Sequence, residues 1–181
     1  MTWISTLSGR KIDFLNPDPR QIEIEDIAAG LAAASRFVGQ TVRDGAWIPY
    51  CVAEHSFLAS CRCERFPLEA LLHDAAEGYM GVCNRPLKDL LRPLWDPIER
   101  RIHAAICRRF GVRDDMPPEV KAVDDRLLMT ERRDLQPRSP EWDSGNDYTR
   151  AVPYDHVIHP RSQEHARRLF LERFGELRGN R

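Results

Sequence analysis

Five side chains in this 181-residue sequence have the types and spacing to hold a metal ion and use it: His55, His73, Asp74, Glu77 and Asp124. The segment ALLHDAAEGYMG, residues 70–81, reads as an apolar helix, yet it carries His73 beside Asp74 and Glu77 one turn later. Burying three ionisable groups there is costly unless something binds them. Successive helical residues lie about 100° apart, so His73 and Asp74 can share a ligand only at the helix edge. Glu77 is i+4 from His73 and i+3 from Asp74, hence on the same side. A divalent cation beside that edge accounts for all three, as two ligands and one acid/base group. Other helices must complete the site. His55 stands in VAEHS, with Val52 and Ala59 on its own face, and Asp124 stands in VKAVDDRLL. Val120, Asp124 and Leu127 follow i, i+4, i+7, which places Asp124 on a buried stripe and rotates Asp125 off it. Imidazoles with carboxylates suit Mn, Fe, Co, Ni or Zn without deciding among them. A plainer reading has His73 bonded to a carbonyl and Asp74 paired with an arginine. It leaves Asp124 and Glu77 unexplained.

These residues need helices to position them. A Pro-rich extended stretch leads into a first helix with the stripe Ile27, Leu31, Ala34 and Val38, Asp26 as its cap or first-turn acid, and Gly39 as its stop. QTVRDGAWIPY carries a D-G turn between β-prone pieces, which predicts a short β-hairpin near 41–50. A second helix is expected over 52–63, and Pro67 opens a third that contains the His-Asp pair. Pro86 starts a short helix, PLKDLL, and a separate one follows near 95–110, ended by Gly111. Further helices are expected near 118–134 and 161–175. Between them, 136–160 is a long irregular connection in which Trp142, Tyr148 and Tyr154 are candidate anchors onto the body. With no repeat, low-complexity tract or linker, the expectation is an all-α fold: one compact helical domain over 1–181.

Composition narrows the function classes. The net charge of −1 argues against a nucleic-acid binder held by bulk electrostatics, and no basic stripe interleaves with aromatics. No run reaches the ~20 apolar residues of a membrane helix, and the amino terminus lacks a signal-peptide core. Five cysteines without framework spacing point to a reducing compartment, so a cytoplasmic protein is expected. Cys61 and Cys63 form only a C-x-C pair and are read as ordinary thiols.

The order His, His-Asp, Asp closely resembles the HD-domain metal-dependent phosphohydrolase superfamily. SRFVGQT, YCVAEHS, LLHDAAEGYMG, RPLKDLL, VKAVDDRLL and PRSQEHARRLFLERF are similar, in order, to the branch containing bacterial 5'-deoxynucleotidases and phage dATP triphosphohydrolases. The resemblance implies one metal on His55, His73, Asp74 and Asp124, with Glu77 orienting the attacking water or shuttling its proton. It also implies that Arg36 and Lys88 hold phosphate, and that Phe37 and Pro86 sandwich the base. Each of the four has a second reading: Arg36 and Lys88 as solvated surface cations, Phe37 as core packing, Pro86 as helix initiation. Arg85 and Arg43 are further candidates for a triphosphate. An additional metal carried by the substrate phosphates, and a homo-oligomer, are expected by resemblance alone.

Two positions depart from the branch. Val82 stands where nucleotidase-type relatives often carry Asp, which weakens the monophosphatase reading, and Gly39 offers no bulk beside a base edge. His156, His159 and His165 match no ligand motif and are read as capping or surface residues, and His103 as a boundary residue. The expected activity is hydrolysis of a purine deoxynucleoside triphosphate (dATP or dGTP) to deoxynucleoside and triphosphate. The alternatives are a 5'-deoxynucleotidase on deoxynucleoside monophosphates and an inactive nucleotide-binding sensor.

Overall fold

A computed structural model describes residues 1–137 and 150–179. The chain opens with a hairpin, β1 (Trp3–Ser5) against β2 (Lys11–Asp13), which the sequence reading did not anticipate. Asp26 explains its placement: the buried carboxylate accepts from the Ser8 amide at 2.8 Å and the Ser8 hydroxyl at 2.7 Å. Asp26 is therefore a first-turn acid of helix α1 (Ile24–Ala33) that ties the hairpin loop to it, and Glu23 is the N-cap residue.

Helix α1 ends earlier than its apolar stripe suggests. Residues Arg36–Gly39 form a tight turn in which Phe37, Val38 and Gly39 have φ of 51°, 55° and 73°. Left-handed backbone at two non-glycine residues is costly and persists only where the surroundings impose it. Here the flanks do: the Arg36 amide donates to the Tyr50 carbonyl at 2.8 Å, and the Val52 amide to Ala34 at 2.9 Å. The expected hairpin follows as β3 (Val42–Arg43) and β4 (Ala46–Trp47), turned by Asp44 and Gly45, both at positive φ.

Helix α2 (Val52–Arg62) is the central element. On one side it joins the main core with Ile27, Leu31, Leu71, Ile106 and Phe170. On the other its Ala59 packs with Ala70, Val120, Val123 and Leu127. The expected third helix is split. Helix α3 (Pro67–Leu72) and helix α4 (Glu77–Met80) flank an overwound turn with i→i+3 bonds from Ala75 to Leu72 and from Glu77 to Asp74. Helix α4 sits on α1 through two glycines: a Cβ on Gly30 would fall 1.9 Å from the Gly78 carbonyl oxygen.

The two helices expected at 86–91 and 95–110 are one, helix α5 (Arg85–Phe110), with Pro93 and Pro97 inside it and Asn84 capping the Leu87 amide. Lys88 and Glu99 form an ion pair at 2.5 Å. A straight helix would hold their backbones roughly 16 Å apart, so α5 bends at the prolines. Its second half buries Ile102, Ala105, Ile106 and Phe110, while Leu90 and Leu94 in the first half stay exposed. Helix α6 (Pro118–Leu135) and helix α7 (Gln163–Gly179) complete the fold. The architecture is mainly helical with two short antiparallel hairpins. No described helix is long and apolar enough to cross a membrane.

Of the aromatic anchors, Tyr154 lies between the guanidinium groups of Arg126, 3.9 Å from its ring centroid, and Arg62, 4.7 Å away. Trp142 and Tyr148 lie outside the described residues.

Candidate metal centre

Three elements deliver the ligand atoms. Helix α2 places His55, the overwound turn after α3 places His73 and Asp74, and α6 places Asp124. One ligand atom each from His55, His73 and Asp124 falls within 4.8 Å of the others. His55 Nε2 lies 3.3 Å from His73 Nε2 and 3.3 Å from Asp124 Oδ1. Asp74 Oδ2 is 3.3 Å from His73 Nε2 and 3.8 Å from His55 Nε2, so the fourth expected ligand borders the group formed by His55, His73 and Asp124 without being part of it.

The outer ring nitrogens are occupied in a way that suits metal binding. His73 Nδ1 bonds the Ala70 carbonyl at 2.8 Å, and His55 Nδ1 bonds Glu131 Oε1 at 2.5 Å. Each Nδ1 is placed to act as donor, so each Nε2 faces the centre and offers its lone pair once it gives up any proton to a bound ion. The plainer sequence reading, a carbonyl on His73 and an arginine on Asp74, is also present: Arg36 Nη1 lies 3.8 Å from Asp74 Oδ2. The carbonyl contact uses the outer Nδ1 of His73, whereas Arg36 meets the same Asp74 Oδ2 that faces the two histidines.

Electrostatics reflect the crowding. Burial works against the charged form of Asp124, but the His55 hydrogen bond and the charges of His73, His55 and Arg36 hold its pKa far below the carboxylate range. Burial and Arg36 push the His55 pKa down, and Glu131 and Asp124 outweigh them to hold it at about 9. For Glu77, burial and the charge of Asp74 raise the pKa to about 8, and its Oε2 is buried without a hydrogen-bond partner. An orphaned buried oxygen beside a ligand cluster fits a site that takes up a further polar group.

Two cavities meet at this centre. The larger, about 670 Å³, is lined by Arg36, Phe37, Glu77, Pro86, Lys88 and Asp124 among others, which brings the expected substrate contacts to one cleft. Val82 also lines it. The smaller, about 290 Å³, is walled by His73, Asp74, Glu77, Lys88 and His103 among others. Lys88 and Glu99 line both, so Lys88 is a paired residue of the cleft wall and not a solvated surface cation. Likewise Arg36 is mostly buried, not on the surface.

Other candidates move. Arg43 donates to the Ile158 carbonyl at 2.5 Å and is not among the residues lining the cleft, whereas Arg85, Arg92, Arg100 and Arg132 are. Gly39 does not line it either; its carbonyl accepts the Trp47 indole N–H at 2.8 Å. Among the described residues His156, His159 and His165 join no metal-type cluster, and His159 and His165 are exposed. His103 lies 3.4 Å from Cys107 Sγ. The sequence reading missed Glu131 and Tyr50. Glu131 extends the Val120, Asp124, Leu127 stripe by four residues, and an acid at that register was the available signal.

Comparison with known proteins gives the chain's kinship. No family model matches it. It is 34% identical over 182 residues to Uncharacterized protein YfdR of Escherichia coli strain K12, covering 98% of this chain and 96% of that one. The chain belongs to the YfdR family. A second relative, Uncharacterized protein RCAP_rcc00048 of Rhodobacter capsulatus, is 42% identical over 127 residues, 66% of this chain. That match spans 63% of the Rhodobacter protein, a little under two thirds of its length. The YfdR match runs through every ligand-bearing element, because it covers nearly the whole chain.

Proposed function

We propose that this protein is a metal-dependent phosphohydrolase of deoxynucleotides, acting first on purine deoxynucleoside triphosphates. The supporting observation is the convergence of His55, His73 and Asp124, the last of which lines a cleft that also presents Arg36, Lys88 and Glu77. His55, His73, Asp74 and Asp124 would hold one divalent ion of the Mn, Fe, Co, Ni or Zn group. Such an ion supplies Lewis acidity, lowering the pKa of water and offsetting phosphate charge.

The chain's own residues do the rest. Arg36 and Lys88 bind phosphate oxygens, and Lys88 exchanges Glu99 for the anion as it does so. Glu77 stands at the cleft with an unpartnered oxygen. It orients water, accepts its proton as the oxygen attacks the α-phosphorus, and returns the proton to the departing 5'-oxygen. Breaking the bond between phosphorus and that 5'-oxygen releases deoxynucleoside and triphosphate. Phe37 and Pro86, both on the cleft wall, offer flat apolar surfaces to a base. Four further arginines stand on the same wall together with Asp89, Asp96 and Glu99, so the wall is of mixed charge.

Product chromatography tests this. Purified protein with Mn²⁺, Co²⁺ or Zn²⁺ is incubated with dATP, dGTP and dAMP, and nucleoside and polyphosphate are separated. Triphosphate release from dATP or dGTP is the expected result. Turnover of dAMP with dATP left intact would assign the protein as a 5'-deoxynucleotidase. Binding without turnover of any nucleotide would assign it as a sensor.

A further inference from the structure

We propose that Glu131 is a positioning residue shared by two subsites, so that metal binding and anion binding are coupled through one buried carboxylate. Glu131 is fully buried and does not line either cavity, so it touches neither ion nor substrate. Its four bonds are divided by oxygen. Oε1 accepts from His55 Nδ1 at 2.5 Å and from the Tyr50 hydroxyl at 3.0 Å. Oε2 accepts from Arg36 Nη2 at 2.7 Å and Nε at 3.2 Å. A carboxylate has about four lone-pair sites, so its capacity is full and neither half can turn alone.

Each half has a consequence. On the Oε1 side the bond fixes the hydrogen of His55 on Nδ1 and aims Nε2 at the ligand cluster. On the Oε2 side the double contact sets the guanidinium plane, leaving Nη1 toward Asp74 and the cleft. Drawing electron density from the His55 ring strengthens the Nδ1–H donor and redistributes charge within the same carboxylate that holds Arg36. Any such linkage between binding sites is reciprocal: an anion on Arg36 changes metal affinity by the factor that metal changes anion affinity. The inference rests on the proposed function only for the presence of a metal, and its readouts need no turnover.

The experiment compares the native protein with Glu131→Gln, Arg36→Ala and their double variant, using Co²⁺ and inorganic phosphate as probes in calorimetry. The amide of Glu131→Gln keeps the shape but cannot accept on both sides. Co²⁺ affinity is expected to fall about ten-fold, the lower end for loss of an outer partner of a metal ligand. Phosphate affinity of the metal-free protein should fall in Glu131→Gln but not fall further when that change is added to Arg36→Ala. The factor by which phosphate tightens Co²⁺ binding should shrink in Glu131→Gln. At a pH high enough for a neutral ring, ¹⁵N spectra of His55 should show the Nδ1–H form in the native protein and a tautomer mixture in the variant, which a purely structural role would not produce. Should Glu131→Gln fail to fold, Tyr50→Phe removes only one hydroxyl and is expected to lower Co²⁺ affinity by a measurable but smaller factor. Unchanged Co²⁺ affinity in the variants that fold, or a Co²⁺ loss with phosphate affinity and coupling intact, overturns the shared role.

Discussion

The amide of Glu77 donates to the carbonyl of Asp74 at 2.9 Å, an i→i+3 bond inside a turn that links two short helices. The overwinding sets Glu77 more directly above Asp74 than an α-helix would, since 3₁₀ side chains three apart eclipse. The carboxyl consequently lines the cleft beside the ligand cluster without contributing an atom to it. Glu77→Gln should retain full metal content, read by elemental analysis, while turnover falls by ~10²–10⁴-fold, the scale of a positioned acid/base group. Near-native turnover in that variant would reduce Glu77 to a structural residue.

Removal of an inward ligand should have the opposite signature. His73→Ala and Asp124→Ala each take away an atom facing the centre, so metal content and activity should fall together. Native protein treated with a chelator should lose thermal stability and regain it on adding Mn²⁺, Co²⁺ or Zn²⁺, because a ligand that binds only the folded state stabilises it by mass action. A Tm that ignores both chelator and metal would remove the ion from the account of this site.

What was legible in the sequence divides along a physical line. Helix periodicity located α2, α6 and α7 within a few residues, because their apolar stripes face a core. Asp124 is the aspartate of α6 that meets His55 and His73, although it is no more buried than Asp125. The α1 terminus was misplaced because Ala34 and Val38 continue the apolar spacing after the backbone has already turned at Ala34. That turn is imposed by pairing of Ser35 with Cys51, a contact between distant residues that periodicity does not encode. The two helices expected at 86–91 and 95–110 are joined, because α5 accommodates Pro93 and Pro97 within one helix. Glu131 went unseen because an acid on an apolar stripe acquires its meaning from His55, Tyr50 and Arg36, which arrive from other elements.

The Gly30 and Gly78 contact predicts an ordered pair of stabilities. A Cβ on Gly30 would meet the Gly78 carbonyl oxygen at 1.9 Å, whereas one on Gly78 would meet the Ile27 carbonyl oxygen at 3.0 Å. Both obstacles are backbone, so neither can rotate away. Gly30→Ala should cost more than the ~1–3 kcal/mol typical of overpacking, and Gly78→Ala should fall at or below the lower end of that range. Denaturant melts would measure both. Because α4 carries Glu77, Gly30→Ala should also lower turnover, and equal stabilities for the two variants would contradict the close crossing.

Glu119, at the start of α6, predicts a pH dependence remote from the metal centre. Its carboxylate accepts from the Glu64 amide at 2.8 Å, the Arg65 amide at 3.1 Å and Arg65 Nε at 2.9 Å, which ties the connection between α2 and α3 to α6. The Arg65 side chain is the largest influence, followed by the Arg65 backbone bond, and together they lower the Glu119 pKa to about 2 from its ordinary 4.5. A carboxylate more acidic in the folded than the unfolded chain adds stability that is fully present above the unfolded value and disappears as pH falls through the folded one. The Tm difference between native protein and Glu119→Gln should accordingly be constant above about pH 5.5 and shrink steadily from there toward pH 2. Salt should diminish it, since Arg65 is well exposed. A difference that instead grew on acidification would mean that the carboxylate is more basic in the folded protein, and the three-bond clasp would have to be abandoned.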